Sequence, residues 1–441
     1  MTDAPLSPPE HCDIAIVGAG LAGSLIALAL ADKRPDLRVA LIDADHRAGG
    51  NHVWSFFDSD VSEEGRALLS PLISRRWESG YDVRFPGHSR RLSAGYNSIS
   101  SDRLHEVLEQ RVGNLLLGSA VEVLDDDHIL LKNGNKIIAK AVIDARGFAP
   151  KKCDEPSGTI DGSEHYQACD PAAYLPDGGY NAIDPVSPDA GSFFGQNPLP
   201  PDLDPSHFGW QKFVGRTLRL AAPHGLDRPV IMDATVEQID GYRFVYLLPW
   251  DEQRIFVEDT YYSDDAALDT AAIRGRIADY AAGQGWQVEA VEHEETGVLP
   301  VAKGGAFESF WPQGGGIARA GMRAGLFHAT TGYSLPMATE LAVAIAGQPD
   351  LSGDALARWS HDRAQAHWRG QGYYRMLSRM LFDAAQPDAR YRIFERFYHL
   401  PEPLIERFYA GRSTIADKFR ILCGRPPVPI RAAMHALIGK Q

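Results

Sequence analysis

Residues 13–31, DIAIVGAGLAGSLIALALA, constrain the fold more than any other stretch of this chain. A short apolar strand runs into a glycine turn, and an apolar helix follows at once. Gly18, Gly20 and Gly23 stand in G-x-G-x-x-G spacing. The first permits a tight turn, the second lets backbone N–H groups approach a pyrophosphate, and the third allows the helix to pack closely on the strand. The helix N-terminus then faces the phosphate charge. RVALIDAD, residues 38–45, reads as a second strand, and Asp43 at its end can accept hydrogen bonds from a ribose diol. A glycine turn that binds nothing leaves Asp43 unexplained. The expected class is therefore α/β, with a Rossmann-like dinucleotide-binding domain at the start of the chain.

Two further stretches favour FAD over NAD. GGNHVWSFF, residues 49–57, places Gly49 and Gly50 shortly after the acidic strand end, where the chain can pass close to a cofactor. GLFHATTGYSLP, residues 325–336, is a strand end and a Gly/Thr turn leading into a helix. Such a turn can aim N–H groups at a flavin ring or its phosphates. His52 and His328 fall in these stretches, and each reads equally well as a structural histidine.

Bulk composition narrows the function classes. A net charge of −14 argues against a nucleic-acid partner. Cys12, Cys153, Cys169 and Cys423 show no CxxC spacing, so neither a disulfide framework nor a metal site is expected. A reducing, cytoplasmic compartment fits. No signal-like N-terminus and no run of membrane-span length is seen. The charge is uneven: residues 355–441 hold 15 Lys and Arg against 7 Asp and Glu, a net of +8, mixed with many aromatics. That mixture suits an anionic membrane surface, and it also suits a helical domain with an aromatic core and snorkelling arginines. Residues 150–205 carry ten of the 29 prolines and no periodicity, and read as a surface excursion.

The sharpest anomaly is FVEDTYYSD, residues 256–264. It follows YRFVYLLPW, residues 242–250, and both read as strands rich in aromatic and β-branched residues. Glu258 and Asp259 sit side by side within the second. Alternation puts Phe256, Glu258 and Thr260 on one face and Val257, Asp259 and Tyr261 on the other. Only one acid can face a given cavity, and the alternation leaves open which.

Taken with LIDADHRAGGNHVWSFFDSD, RLSAGYNSISSDRL, AVIDARG, GWQKFVG, YYRMLSRMLF and RILCGRPPVP, these segments resemble the bacterial lycopene β-cyclases of carotenoid biosynthesis, in order from residue 13 to 430. Two departures stand out. The 150–205 stretch resembles an insertion, and Ala329 follows His328 where the family tends to have proline. The resemblance implies a flavoprotein that closes the linear ψ-ends of lycopene into β-ionone rings without net oxidation. It implies reduced FAD, with NADPH or NADH as reductant. Carried over by position, it puts the catalytic acid on Glu258, with Asp259 as neighbour. The flavin contacts fall on Gly18, Gly20, Gly23, Asp43, Gly49, Gly50, Asn51, Arg103 and the 325–334 turn, with Gly325, His328, Thr331, Gly332, Tyr333 and Ser334. It also implies a lipid-soluble substrate, hence a cytoplasmic protein peripherally associated with the inner membrane. An FAD-dependent hydroxylase or a prenyl-chain reductase of the same fold is the alternative.

The resulting organisation is a discontinuous FAD-binding domain (11–150 and 296–350), a Pro-rich insertion (151–206), a substrate-binding β-sheet (207–295) and a C-terminal helical, basic-aromatic region (351–441). The chemistry asks for a buried carboxyl, because burial keeps it protonated at neutral pH. Aromatic faces can stabilise the cation that follows. Tyr242, Phe244 and Tyr246 share one strand face, Trp54 and Phe56 another.

Overall fold

The computed structural model describes residues 10–147, 203–311 and 316–423. The Pro-rich stretch, apart from its last few residues, and the end of the basic tail lie outside the described residues.

A seven-stranded sheet forms around the first βαβ unit. The strands Asn114–Leu116, Val39–Ile42, His11–Val17 and Lys136–Asp144 run parallel, and Ala318–Arg319 pairs in parallel with the last of them. Two antiparallel strands, His128–Leu131 and Val121–Leu124, close the far side. The helix Leu21–Lys33 is apolar all round, and its residues from Leu21 to Leu30 are buried, as expected of a helix covered on every side. The helix Leu335–Ala346 packs along it.

The second sheet also has seven strands. Its order is Val288–Ala302, Phe208–Leu220, Arg254–Ser263, Tyr242–Pro249, Val230–Asp233, Tyr81–Phe85 and His88–Leu92. The hairpin at 81–92 thus comes from the chain before residue 150, and the edge strand runs on past residue 296. These pairings bridge segments far apart in sequence, which local periodicity does not encode. The helix Thr270–Gly283 covers one face with Ile273, Ile277 and Ala281, packed on Val257, Tyr261 and Val245. The other face turns towards the first sheet. A three-stranded sheet, Val53–Phe57, Tyr96–Ser100 and Arg75–Trp77, lies between.

Helices follow from Gly353 to Leu422. Most of their aromatics serve a core: Tyr374, Phe394, Tyr398, Phe408 and Tyr409 are buried. Arg390 is buried too, and its guanidinium donates to the carbonyls of Tyr262, Leu381 and Phe382 and pairs with Asp264 at 2.6 Å. It ties the helical region to the strand carrying Glu258.

Candidate active site

A cavity of about 740 Å³ runs between the two sheets, from the glycine turn to Glu258. At one end lie Gly18, Gly20, Asp43, Gly49 and Gly50. Gly18 (φ 107°), Gly49 (φ 81°) and Gly50 (φ 60°) occupy backbone conformations that favour glycine. A Cβ on Gly20 would meet no atom within 4 Å, so that residue opens on free space. The helix behind it has no side-chain cap and no acid in its first turn. Its leading N–H groups are left for an anion. Asp43 borders the cavity while its carboxylate accepts from the N–H groups of Ala19 (2.5 Å) and Asp45 (2.9 Å). These features fit a dinucleotide. Gly23 does not border the cavity: a Cβ there would stand 2.0 Å from the Gly18 carbonyl oxygen, so its role is close packing.

Thr331, Gly332, Tyr333 and Ser334 border the same cavity, just ahead of the helix Leu335–Ala346. Besides Gly23, four more of the expected contacts do not border the cavity. Asn51 is exposed and donates to the Glu294 carbonyl at 2.9 Å, because its turn is stapled to the edge of the second sheet. Arg103 lies off the inner face of the helix Ser101–Arg111, so its guanidinium reaches the Pro71 carbonyl (2.9 Å) and Glu106 (3.1 Å). Gly325 ends a short 3₁₀ turn beside Phe310, in a left-handed conformation. His328 is fully buried beside Tyr374 and Phe408, with Nε2 3.0 Å from the Phe408 carbonyl. Burial pushes its imidazole down to about 3, so it is a neutral core histidine.

At the far end of the cavity stands Glu258, in the register Gly215–Glu258–Tyr246 across three strands. Protein surrounds it on all sides, yet its carboxyl is half-buried because it opens on the cavity. Thr260 Oγ1 donates to its Oε1 at 2.5 Å. Burial first, and then the nearby charge of Glu295, push this carboxyl up to about 8. Phe244, Tyr246 and Trp54 border the same space, and the Tyr246 hydroxyl lies 2.7 Å from that of Tyr96. Tyr242 and Phe56 are instead buried in packing, and Tyr242 stacks on Phe394 with centroids 4.4 Å apart.

Asp259 points to the opposite face. It is fully buried and held by Arg243 (Nε–Oδ1 2.8 Å, Nη2–Oδ2 3.0 Å) and by the Tyr261 hydroxyl at 2.7 Å. A carboxylate paired in this way braces the sheet and has no access to the cavity. The helix Thr270–Gly283 decides between the two acids: it closes the face with Val257 and Tyr261, and alternation puts Asp259 on that face.

The lycopene cyclase protein family matches residues 13–435. The chain belongs to that family. It is 41% identical over 429 residues to a lycopene β-cyclase of Pantoea ananas, covering 97% of this chain and 98% of the relative. It is 41% identical over 427 residues to the lycopene β-cyclase of Pseudescherichia vulneris, covering 97% of each. Among solved structures it resembles PqsL of Pseudomonas aeruginosa, described as a probable FAD-dependent monooxygenase, with a TM-score of 0.52 and 16% identity over 88% of this chain and 100% of that one. The fold is therefore a Rossmann-like flavoprotein fold.

Several residues of this cyclase-family site escaped the sequence reading. Arg146 and Arg323 border the cavity and both hold Asp144, at 2.8–2.9 Å. Burial raises the Asp144 carboxyl, but the two guanidiniums outweigh it and hold it below its ordinary value. Glu295 also borders the cavity and is almost fully buried. Its only signal in the sequence was acidic residues, HEE, within a strand pattern.

Proposed function

We propose that the chain is a lycopene β-cyclase. It converts the linear ψ-ends of lycopene to β-ionone rings, giving γ-carotene and then β-carotene. The observation that carries this reading is Glu258: a cavity-facing carboxyl held up to about 8, and so protonated at pH 7. It gives its proton to the terminal double bond, leaving a tertiary cation. The next double bond attacks that cation and closes the ring. Loss of a proton from the adjacent ring carbon completes the product, so one proton enters and one leaves. Phe244 and Tyr246 present ring faces to the same space, where each cation–π contact is worth about 0.5–2 kcal/mol.

Gly18, Gly20, Asp43, Gly49, Gly50 and the 331–334 turn are the residues that would hold FAD. When bound in its reduced form, kept so by NADPH or NADH, this cofactor supplies negative charge in a site of low dielectric. The residues around it exclude water and keep the proton on Glu258.

Expression in bacteria that accumulate lycopene tests the reading directly. Cyclic carotenoids should appear. Glu258→Gln nearly preserves shape, and should cut cyclisation by about a hundredfold to ten-thousandfold while the purified protein stays yellow with FAD. An active Glu258→Gln protein would refute the assignment. NADPH consumed one-for-one with substrate would instead favour a hydroxylase or a prenyl-chain reductase.

A hydrocarbon substrate has to be collected from lipid, and the same reading includes a peripheral contact with the cytoplasmic face of the inner membrane. Ile415, Phe419 and Leu422 are 75%, 66% and 44% exposed and follow helical spacing on the helix Ile415–Leu422, beside Lys418 and Arg420. Among the described residues no helix is long and apolar enough to cross a membrane.

A further inference from the structure

Glu258 is not the only carboxyl in the cavity. Strand register sets Glu258, Gly215 and Glu295 in one row across three adjacent strands, so all three share the cavity face. The middle position has no side chain. A Cβ on Gly215 would lie 3.2 Å from Glu295 Cγ, so the Glu295 side chain leans over the glycine. Both carboxyls border the cavity, and Glu295 is 2% exposed. Yet the two are supported differently. Glu295 Oε2 accepts the Val53 N–H at 2.8 Å and lies 3.4 Å from His52 Nδ1. Among the described residues, Glu258 receives only the Thr260 hydroxyl. A main-chain N–H favours an ionised acceptor, and two carboxyls in one site cannot both ionise cheaply.

We infer that Glu295 is the ionised partner of Glu258, a positioning residue whose fixed negative charge keeps the proton on the donor. This rests on the assignment of Glu258 as the acid. His52, Tyr96, Tyr246, Tyr262, Tyr333 and Tyr409 also border the cavity, as do Asp43, Asp45, Arg47, Arg146 and Arg323. Asp259 with Arg243, and Glu294 with Arg216 and Arg274, lie on the reverse face or at its edge. Asp259 is neutralised by its guanidinium, and the Glu294 charge is matched by two. Among the described residues, Glu295 is thus the acid on this sheet's cavity face whose charge reaches Glu258 without a guanidinium beside it. Its role also explains a glycine at 215: a side chain there would stand between the two carboxyls and collide with Phe256 Cζ, 2.3 Å away.

The test is the pH dependence of cyclisation by the full-length, FAD-reconstituted protein. In the wild type, activity should fall as pH rises through about 8, where Glu258 loses its proton. Glu295→Gln keeps an acceptor for the Val53 N–H and removes the charge. Its alkaline limb should move down by about one pH unit or more. Glu295→Asp keeps the charge but withdraws it, and should move the limb the same way by less. A limb that stays at the wild-type position in Glu295→Gln, even with a lowered rate, overturns the inference and leaves a merely structural role. Should Glu295→Gln not fold with flavin, Glu295→Asp decides alone, and an unmoved limb overturns the inference there too. Glu258→Gln separates the two claims. If it remains active, the assignment of the acid fails; if it is inactive while the limb of Glu295→Gln is unmoved, only the partner role fails.

Discussion

A carboxyl group donates to carbon only if water is kept from it, and residue-level surroundings decide that. Glu258 and Asp259 are neighbours in sequence with opposite fates: one faces a cavity beside another acid, the other is locked to Arg243. The pattern of the strand showed that they must part, because side chains alternate. It did not show Glu295, which comes into line only because the strands of both acids pair with the strand Phe208–Leu220, on either side of Gly215. Asp60 offers a separate check on the same physics. It is buried, accepts from the Phe57 N–H (2.9 Å) and the Tyr333 hydroxyl (2.7 Å), and burial pushes it from 3.8 up to about 6. Because the folded protein holds this proton more tightly than the unfolded chain, stability drops as pH climbs from about 4 through 6. The penalty above that window is up to about 3 kcal/mol. Urea titrations should show Asp60→Asn gaining on the wild type across that interval; a constant difference would contradict the shift.

At the scale of elements, the glycine turn was the most legible part, since its spacing carries its own geometry. Gly20 and Gly23 separate two roles within it. Gly20→Ala should leave the apoprotein's unfolding free energy, from urea titration, within about 0.5 kcal/mol of wild type, yet weaken FAD binding, because the methyl enters the cavity. Gly23→Ala forces the helix off its strand and should cost about 1–3 kcal/mol or more. Equal stability losses in the two variants would contradict the division. Arg103 and His328 show where legibility ended. The helix after Ser100 and the turn before the helix Leu335–Ala346 formed as read, but which side of a helix or turn a side chain takes depends on what packs there. Ser101, Leu104 and His105 face inward from that helix, and His105 accepts from the Ala48 N–H at 3.3 Å beside Gly49. The hairpin at 81–92 was unreadable for a related reason: its partner strand begins at Val230.

For the whole molecule, the two sheets enclose a continuous cavity, and the helical region closes over it. Composition alone left the tail with two readings. The structure assigns most of its aromatics to a core, and leaves Ile415, Phe419 and Leu422 outward. Replacing Phe419 and Leu422 by Asp should weaken flotation with anionic liposomes by about tenfold or more, with FAD content unchanged. Unaltered flotation would remove the proposed contact. The central claim is that Glu258 is neutral at pH 7 and gives its proton to the substrate. Difference infrared spectroscopy between wild type and Glu258→Gln, recorded across pH, reads that proton directly. A protonated-carboxyl band present at pH 7, absent from the variant and lost near pH 8, is the expected result. A band showing only carboxylate at pH 7 would contradict it.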